Sequence, residues 1–326
     1  MGSLDGRVAL ITGAGRGIGR EEALFFAAEG AQVVVNDPGV AADGTGGDAG
    51  VAAAVVAEII DAGGQAVANI DSVSSWAGAE RMVETALDAF GDLHIVVNNA
   101  TVKGDRAMVN MTEHEFDDVI AVKLKGTFAV SHFAARYWRS RFAAGGRTDR
   151  AIVNTASGSG LLNPLPNQTN YAAANAGVAA MTVVNALELA RYDVRVNCVS
   201  PSMARTRLTR GVPGMDSVPE SDRFDPLHPV TSAPVVAYLA TAECPLTGQV
   251  LSVRGSSVVV NHGWSRGAQV SKEDMLWTVG ELAHALTDLP REDQFEKLSA
   301  ALGGALGTGG REQLQQMINA MLDAQG

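Results

Sequence analysis

Nearly unbroken apolar runs recur along the first 253 residues and constrain the fold more than any other feature of the chain. Such runs are typical of strands that are buried on both faces of a sheet. Stretches with the 3.6-residue period of a helix separate them. We therefore predict an α/β fold in which right-handed crossovers build a doubly wound parallel sheet. The predicted strands are 8–11, 33–35, 66–70, 95–97, 151–153, 194–199 and 250–253, with helices at 17–29, 49–61 and 76–90 among the connections.

The last part of the chain departs from this alternation. Residues 265–326 contain apolar stripes at helical spacing, interrupted by the glycine-rich run 303–310. We predict a sheet domain over 1–264 and a helical C-terminal extension over 265–326. The extension is interpreted as a packing or oligomerisation element, with a cap over the active site as the alternative. The irregular, proline-containing segment 202–230 follows a predicted strand, where a substrate lid would lie.

Charge excludes several classes of partner. The chain has 326 residues, of which 25 are Lys or Arg and 36 are Asp or Glu, for a net charge of −11. An acidic chain lacks the basic surface that nucleic acid and anionic lipid require, so we predict no nucleic-acid or membrane partner. Residues 1–6 carry no secretion signal, and we expect a cytoplasmic protein.

Metal and disulfide chemistry are not expected either. The two cysteines, Cys198 and Cys244, are too few for a disulfide framework, and the six histidines lack the spacing of metal ligands. The acidic pairs at 21–22 and 117–118 are interpreted as solvent-facing positions on helices. We therefore predict no metal site.

A glycine-rich turn connects the first predicted strand to the first predicted helix. Glycines let the backbone approach a diphosphate closely, and a helix N-terminus supplies free N–H groups and a partial positive charge. This context predicts a Rossmann-type fold that binds a dinucleotide. The predicted contacts in the turn are Gly13, Arg16, Gly17, Ile18 and Gly19.

An acidic residue at the end of the second predicted strand bears on which dinucleotide is bound. Asp37 lies 18 residues after Gly19. A carboxylate there accepts hydrogen bonds from the ribose hydroxyls of adenosine and repels a 2′-phosphate. Arg16 favours the opposite choice, because a cation in the turn could pair with that phosphate. The carboxylate lies where the discrimination is made, so we predict NAD(H) rather than NADP(H).

The glycine spacing and the landmarks that follow it resemble the short-chain dehydrogenase/reductase family over residues 5 to about 263. The resemblance implies oligomeric enzymes with further cofactor contacts at Asp71, Asn99, Ala100, Pro201 and Thr206. Segments 35–37 and 66–73 resemble a narrower branch, which includes (3R)-hydroxyacyl-CoA dehydrogenases. That branch implies a ketone/secondary-alcohol oxidoreductase acting on an acyl-thioester, polyketide-like or steroid-like substrate.

The resemblance also implies a catalytic centre in which Tyr171 exchanges the alcohol proton and Ser157 holds the substrate oxygen. Ser159 is the alternative serine. A phenol with a pKa near 10 needs strong stabilisation of its phenolate to act near neutral pH. The family uses a lysine four residues after the tyrosine, but this chain has Asn175 there. The active-site motif is therefore Tyr-x-x-x-Asn.

A lysine stands where the family has an asparagine in the preceding long helix. A capping box of Thr112 and Glu115 predicts the start of that helix, and Lys123 falls on its apolar face. Two interpretations stay open. Lys123 supplies, together with Asn175, the support that the tyrosine needs, or its stem packs in the core while its ammonium reaches solvent.

Three functions remain open from the sequence. The first is an NAD(H)-dependent oxidoreductase, active as a homodimer or homotetramer. The second keeps the fold but catalyses a non-redox step, such as dehydration, cyclisation or retro-aldol cleavage. The missing lysine motivates it, as do Thr101 and Ser202, which replace family glycines beside the nicotinamide pocket. The third is a non-catalytic subunit of a hetero-oligomer.

Overall fold

One sheet of eight strands organises the described part of the chain, in the order β3-β2-β1-β4-β5-β6-β7-β8. The computed structural model describes residues 2–210, 212, 215, 224–263, 268–271, 277–287, 289–290, 293–302 and 311–323. Strands β1 to β7 are parallel, and β8 pairs antiparallel to β7. The strands are β1 Val8–Thr12, β2 Gln32–Asn36, β3 Gln65–Asn69, β4 Ile95–Asn98, β5 Arg150–Thr155, β6 Val194–Pro201, β7 Val250–Arg254 and β8 Ser257–Asn261.

Helices cover both faces of the sheet, because each connection between parallel strands must cross one face. The core on one face is packed by α1, α2 and α7, and the core on the other by α3, α5 and α6. The helices are α1 Gly17–Ala28, α2 Gly50–Asp61, α3 Trp76–Phe90, α4 Glu113–Val119, α5 Gly126–Ala143, α6 Thr169–Leu189, α7 Ala233–Ala240, α8 Val279–Thr287, α9 Gln294–Leu302 and α10 Arg311–Asp323.

The predicted doubly wound α/β sheet is confirmed. All five residues of β1 are buried, as expected for a central strand that is apolar throughout. β1 lies between β2 and β4 in the sheet. The chain runs from β1 outward to β2 and β3, and then returns to the other side of β1 to form β4. The connections that follow β1 and β4 therefore diverge, and they open a crevice at the carboxyl ends of these strands.

The sequence prediction missed one strand. β8 forms a hairpin with β7 at the edge of the sheet, and three consecutive valines in it are about half exposed. The valine run is visible in the sequence, but β8 follows β7 after only two residues, without the intervening helix on which the predicted alternation was based. The three are Val258, Val259 and Val260.

The interpretation of the acidic pair at 21–22 as solvent-facing was wrong for Glu22. Its side chain on α1 is completely buried, and neither carboxylate oxygen has a hydrogen-bond partner among the described residues. Burial raises the pKa of Glu22 to about 8, although the Lys123 charge lowers it. The burial of Glu22 could not be predicted from the charge pattern of the sequence, because carboxylates are rarely buried without a partner.

The described part of the C-terminal region contains the helices α8, α9 and α10, as predicted. Leu298 on α9 and Leu314 on α10 are buried. The predicted boundary at 264–265, the run 303–310 and much of segment 211–223 lie outside the described residues. The division into two units, and the choice between a packing element and a cap, stay predictions.

The helix that carries the predicted tyrosine is long and strongly apolar. Thr169–Tyr192 spans 24 residues with a mean hydropathy of 1.3, enough by length and composition to cross a membrane. It packs against β6, however, and buries Asn170, Asn175 and Thr182. Packing of one helix face against the sheet is typical of a core helix in an α/β fold.

Candidate active site

The glycine-rich turn after β1 has a backbone that only glycine adopts easily. Gly13 and Gly17 have φ of +62° and +57°. A Cβ on Gly13 would lie 2.9 Å from the Cα of Ala100, and one on Gly19 would lie 2.4 Å from the amide nitrogen of Asn99. At the start of α1 no side chain caps the helix, so its first N–H groups are available to an anion.

Asn99 ties the end of β4 to this turn. Its side-chain amide donates to the carbonyls of Thr12 (2.9 Å) and Gly13 (3.1 Å), and the N–H of Ala100 donates to Thr12 Oγ1 (3.1 Å). Asn99 and Ala100 were both predicted to contact the cofactor. In the structure the Asn99 amide fixes the shape of the glycine-rich turn.

Asp37 lies beside the same turn and is nearly buried. One carboxylate oxygen accepts from the N–H of Gly15 (2.9 Å) and the other from the N–H of Gly39 (2.7 Å). A Cβ on Gly15 would lie 2.8 Å from Asp37 Oδ2. The carboxylate is therefore held at the mouth of the crevice, and each oxygen keeps a lone pair for a further donor.

Two arginines meet over one carbonyl in the loop after β2. Arg16 from the glycine-rich turn and Arg207 from the loop after β6 both donate to the carbonyl oxygen of Val40, at 3.0 and 2.7 Å. Burial lowers the pKa of Arg207, and the neighbouring Arg16 charge lowers it further. The two cations lie close together, and the sequence prediction missed Arg207.

The other predicted cofactor residues lie at or after the carboxyl ends of parallel strands. Thr206 caps a 3₁₀ turn at Arg207–Thr209, and its methyl would be 3.1 Å from a Cβ on Gly17. Asp71 follows β3, where its carboxylate pairs with Arg81 and accepts from the Asn69 amide. Ile18 lies in the first turn of α1, and Pro201 ends β6.

Tyr171 and Ser157 come together where β5 ends and α6 begins, and Tyr171 is partly buried. Burial raises the pKa of the Tyr171 phenol, while the side chains of Ser157, Asn175 and Thr101 lower it. Ser159 is committed elsewhere, because its hydroxyl donates to Gln168 Oε1 at 2.7 Å. The geometry therefore favours Ser157 over Ser159 as the serine beside the tyrosine.

Asn175 lies one helical turn after Tyr171 and is fully buried. Its amide nitrogen donates to the Tyr171 carbonyl at 2.8 Å, along the helix. Its amide oxygen has no partner within the described residues. A buried acceptor without a donor is costly, so this oxygen is suited to a hydroxyl that a ligand brings.

Lys123 lies in a π-helical turn, Ile120–Lys125, between α4 and α5. Such turns are rare and occur frequently at functional sites. The side chain is only 1% exposed, so the interpretation in which its ammonium reaches solvent was wrong. Burial lowers the pKa of Lys123 to about 8, opposed by Cys198 and Glu22. The lysine is therefore a buried amine that loses its proton more readily than an exposed lysine.

The predicted capping box at the start of α4 is confirmed, and it lies beside residues that the sequence prediction missed. Thr112 and Glu115 form the reciprocal bonds of the box. Nearby, Asp105 accepts from the Gln168 amide at 3.2 Å. Gln168 precedes Tyr171 by three residues and Asp105 follows β4, positions at the carboxyl edge of the sheet that could have indicated a site.

The crevice fits a dinucleotide by its own geometry. A side chain at Gly13, Gly15 or Gly19 would collide with the backbone or with Asp37 and Asn99, so the turn is kept open. The uncapped N–H groups at the start of α1 lie beside this turn, and the unpartnered oxygen of Asn175 is a buried acceptor one helical turn after Tyr171. Among the described residues, no group of three or more His, Cys, Asp or Glu could hold a metal ion.

Comparison with known proteins identifies the same family that the sequence motifs resemble. Residues 7–216 match the family described as short chain dehydrogenase. Hydroxyacyl-CoA dehydrogenase ChsB1 of Mycobacterium tuberculosis is 40% identical over 288 residues, which cover 87% of this chain and 89% of that protein. The predicted hydroxyacyl-CoA dehydrogenase-like branch is thereby confirmed.

Two solved structures share the fold. A short chain dehydrogenase from Mycobacterium avium is 44% identical with a TM-score of 0.78, covering 88% of this chain and 95% of that one. The 3-ketoacyl-(acyl-carrier-protein) reductase from Brucella melitensis, complexed with NADH, is 32% identical with a TM-score of 0.66, covering 78% and 98%. The chain thus belongs to the short-chain dehydrogenase/reductase family and is an oxidoreductase with a nicotinamide cofactor.

Proposed function

We propose that the chain is an NAD(H)-dependent enzyme that interconverts a ketone and a secondary alcohol on an acyl-thioester, with polyketide-like or steroid-like acyl groups included. The observation that carries the proposal is the hydrogen-bonded meeting of Tyr171 and Ser157 where β5 ends and α6 begins. The thioester is suggested by the name of the relative ChsB1, a hydroxyacyl-CoA dehydrogenase.

In this proposal Tyr171 takes the hydroxyl proton during oxidation and returns a proton to the oxygen during reduction. Ser157 donates a hydrogen bond to the same oxygen. Its own oxygen already accepts from the N–H of Ser159 at 3.2 Å, so its proton is directed elsewhere. The nicotinamide, when bound, supplies the hydride in reduction and accepts it in oxidation.

The cofactor is held along the crevice. The turn that contains Gly13, Arg16 and Gly17 surrounds the diphosphate, with Ile18 and Gly19 opening the helix behind it. Asp37 binds the adenosine ribose and selects NAD(H), and Asp71 lies on the adenine side. The nicotinamide end is bordered by Asn99, Ala100, Asn175, Pro201 and Thr206.

Lys123 and Asn175 share the task that one lysine performs in the family. The π-helical turn packs against α6, and its neighbours Ile120, Val122 and Leu124 join the apolar cluster around Tyr171. No ion pair in the described part of the chain includes Lys123, and its charge acts on the buried Glu22 and Cys198, so its support of Tyr171 acts through the packed core rather than by direct contact. Asn175 offers its free oxygen to the nicotinamide ribose.

The test begins with binding and ends with turnover. NADH and NADPH are titrated into the protein and followed by nicotinamide fluorescence, and a 3-oxoacyl thioester is then added while NADH absorbance is recorded. We expect tighter binding of NADH and loss of absorbance on adding the thioester. Binding with conversion of the thioester but no oxidation of NADH would favour a dehydration, cyclisation or retro-aldol reaction. Binding of neither nucleotide would favour the non-catalytic subunit.

Assembly and location belong to the same proposal. We expect a cytoplasmic homodimer or homotetramer, with a hetero-oligomer as the second possibility. Light scattering of the purified chain gives its mass in solution. A monomer that gains activity only on adding a related chain would favour the hetero-oligomer.

A further inference from the structure

A chain of polar contacts runs from the partly exposed Lys103 to Ser157, and its last link is a backbone N–H. Lys103 Nζ lies 3.4 Å from Asp105 Oδ2, and the same oxygen accepts from Gln168 Nε2 at 3.2 Å. Gln168 Oε1 accepts from Ser159 Oγ at 2.7 Å, and the N–H of Ser159 donates to Ser157 Oγ at 3.2 Å. Lys103 is 41% exposed and Asp105 is 20% exposed, whereas Ser159 is buried.

One backbone bond and the side-chain amide of Asn170 hold this chain of contacts in place. The N–H of Arg106 donates to the carbonyl of Asn167 at 2.8 Å. The buried Asn170 amide donates to the carbonyls of Gly104 (2.8 Å) and Glu115 (2.9 Å). These bonds join the loop after β4 to the first turn of α6. The Asp105 carboxylate is therefore fixed relative to Tyr171, which is in that same turn.

Few charges surround the phenol. α6 itself carries no charged residue before Glu188. From the loop after β4 come the Lys103–Asp105 pair and Arg106, which is paired with Glu115 of α4 at 2.7 Å. Lys123 of the π-helical turn acts instead on Glu22 and Cys198. Burial is the main reason that the pKa of Tyr171 is raised, and the Asp105 charge adds to it.

We propose that Asp105 is a positioning residue that orients Ser157 through Gln168 and Ser159, while its negative charge opposes ionisation of Tyr171 and Lys103 moderates that charge. This inference rests on the function proposed above, in which Tyr171 and Ser157 are catalytic. In this inference the length and the charges of the loop after β4 set the pH range in which the enzyme works.

The sign of each effect follows from the charges. Alcohol oxidation needs the phenolate, so kcat/KM rises with pH as Tyr171 ionises. Asp105→Asn keeps an acceptor for Gln168 but removes the charge, so the midpoint moves down, by about 0.5 pH unit. Lys103→Met leaves the carboxylate uncompensated, so the midpoint moves up, by about 0.3 pH unit because the lysine is partly solvated. Gln168→Leu breaks the link to Ser159 and lowers kcat about tenfold with little change in KM for NAD.

The experiment records kcat/KM against pH for oxidation of a 3-hydroxyacyl thioester by NAD, with the full chain. Tyrosine ionisation is also measured without turnover, as the difference in phenolate absorbance between each variant and the same variant carrying Tyr171→Phe. Asp61→Asn, an exposed carboxylate on α2, is the control for loss of one negative charge and should leave both midpoints unchanged.

Opposite shifts for the Asp105 and Lys103 variants would support the inference, because a loop that is merely loosened moves both in one direction. Equal midpoints in all variants, or shifts of the same sign, would overturn it. A wild-type chain that does not turn over would contradict the proposed function instead, and the absorbance titration would still decide whether Asp105 acts on Tyr171. Thermal unfolding of each variant identifies any that fails to fold.

Discussion

The two sides of the crevice differ in how they are built. On the side of β1 and β2, the glycine-rich turn, Asn99 and Asp37 are locked by bonds to backbone groups. On the side of β5 and α6, buried polar groups such as the Asn175 oxygen lack partners, and Lys123 is a buried cation outside any described ion pair. The residues that shape the cofactor side are held by backbone bonds before a ligand binds, whereas the catalytic side rests on buried polar groups that have no partner in the described part of the chain.

This difference separates two kinds of requirement. A diphosphate needs backbone N–H groups and close approach, which glycines supply in a fixed pattern. Acid–base chemistry needs a balance of charge and burial around one phenol, and several arrangements of residues can provide it. The catalytic side can therefore change its residues while the cofactor side keeps its pattern.

The largest effect is expected from Tyr171→Phe, which removes the group that exchanges the proton. Oxidation and reduction should fall by about 10³-fold, in the range for a lost acid–base group. NADH affinity should stay within about twofold, because the cofactor side does not depend on the hydroxyl. Turnover and fluorescence titration measure the two separately. Residual activity near that of the wild type would show that Tyr171 is not the acid–base group.

A reciprocal exchange tests the catalytic side more sharply. Lys123→Asn should lower kcat about 10²-fold, since the buried positive charge is lost. Asn175→Lys should also be impaired, because it places a second cation in the same buried region. The double variant, Lys123→Asn with Asn175→Lys, restores the pair found in the family and should recover most of the activity. Steady-state kinetics of the four proteins give the coupling between the two positions.

Lys125→Met serves as the matched control for that exchange. Lys125 lies in the same π-helical turn but is exposed, so its loss should leave kcat unchanged. Additive losses in the double variant, with no recovery, would mean that Lys123 and Asn175 act independently. Lys123 would then be a core residue beside Cys198.

The same contrast explains what the sequence could predict. The buried strands, the glycine-rich turn and the capping box at Thr112 depend on local residue types, and the structure confirms them. The complete burial of Lys123 and Glu22 depends on packing across the fold, which a single sequence does not record. Asp105 and Gln168 lie 63 residues apart in the chain, and only the folded loops bring them into contact.

Cofactor choice offers a smaller effect on the other side of the crevice. Asp37→Asn removes the negative charge and replaces one acceptor by a donor facing a backbone N–H. NADH affinity should fall about tenfold, close to 1.4 kcal/mol, while NADPH should bind more tightly because Arg16 and Arg207 remain. Fluorescence titration with both nucleotides measures the change. The exposed Asp43→Asn in the same loop is the control, and an unchanged preference in the Asp37 variant would remove its role as selector.

The smallest change in activity, but a clear change in stability, is expected from Glu22→Gln. Glu22 is the exception on the cofactor side, a buried acid on α1 whose oxygens lack partners. Its pKa is about 8 in the folded chain and 4.5 as an ordinary carboxyl, so the native state holds a proton that the unfolded state releases in between. The wild type therefore loses stability as pH rises from about 4.5 to 8, and the variant does not. In urea unfolding the variant should be more stable by roughly 2–4 kcal/mol at pH 8 and nearly equal at pH 4.5.

Glu21→Gln, on the partly exposed neighbour, should show no such difference between the two pH values. An equal difference at both pH values would mean that only packing has changed. A loss of stability at pH 8 would instead mean that Glu22 is ionised and stabilised by Lys123, which would join the two sides of the crevice electrostatically.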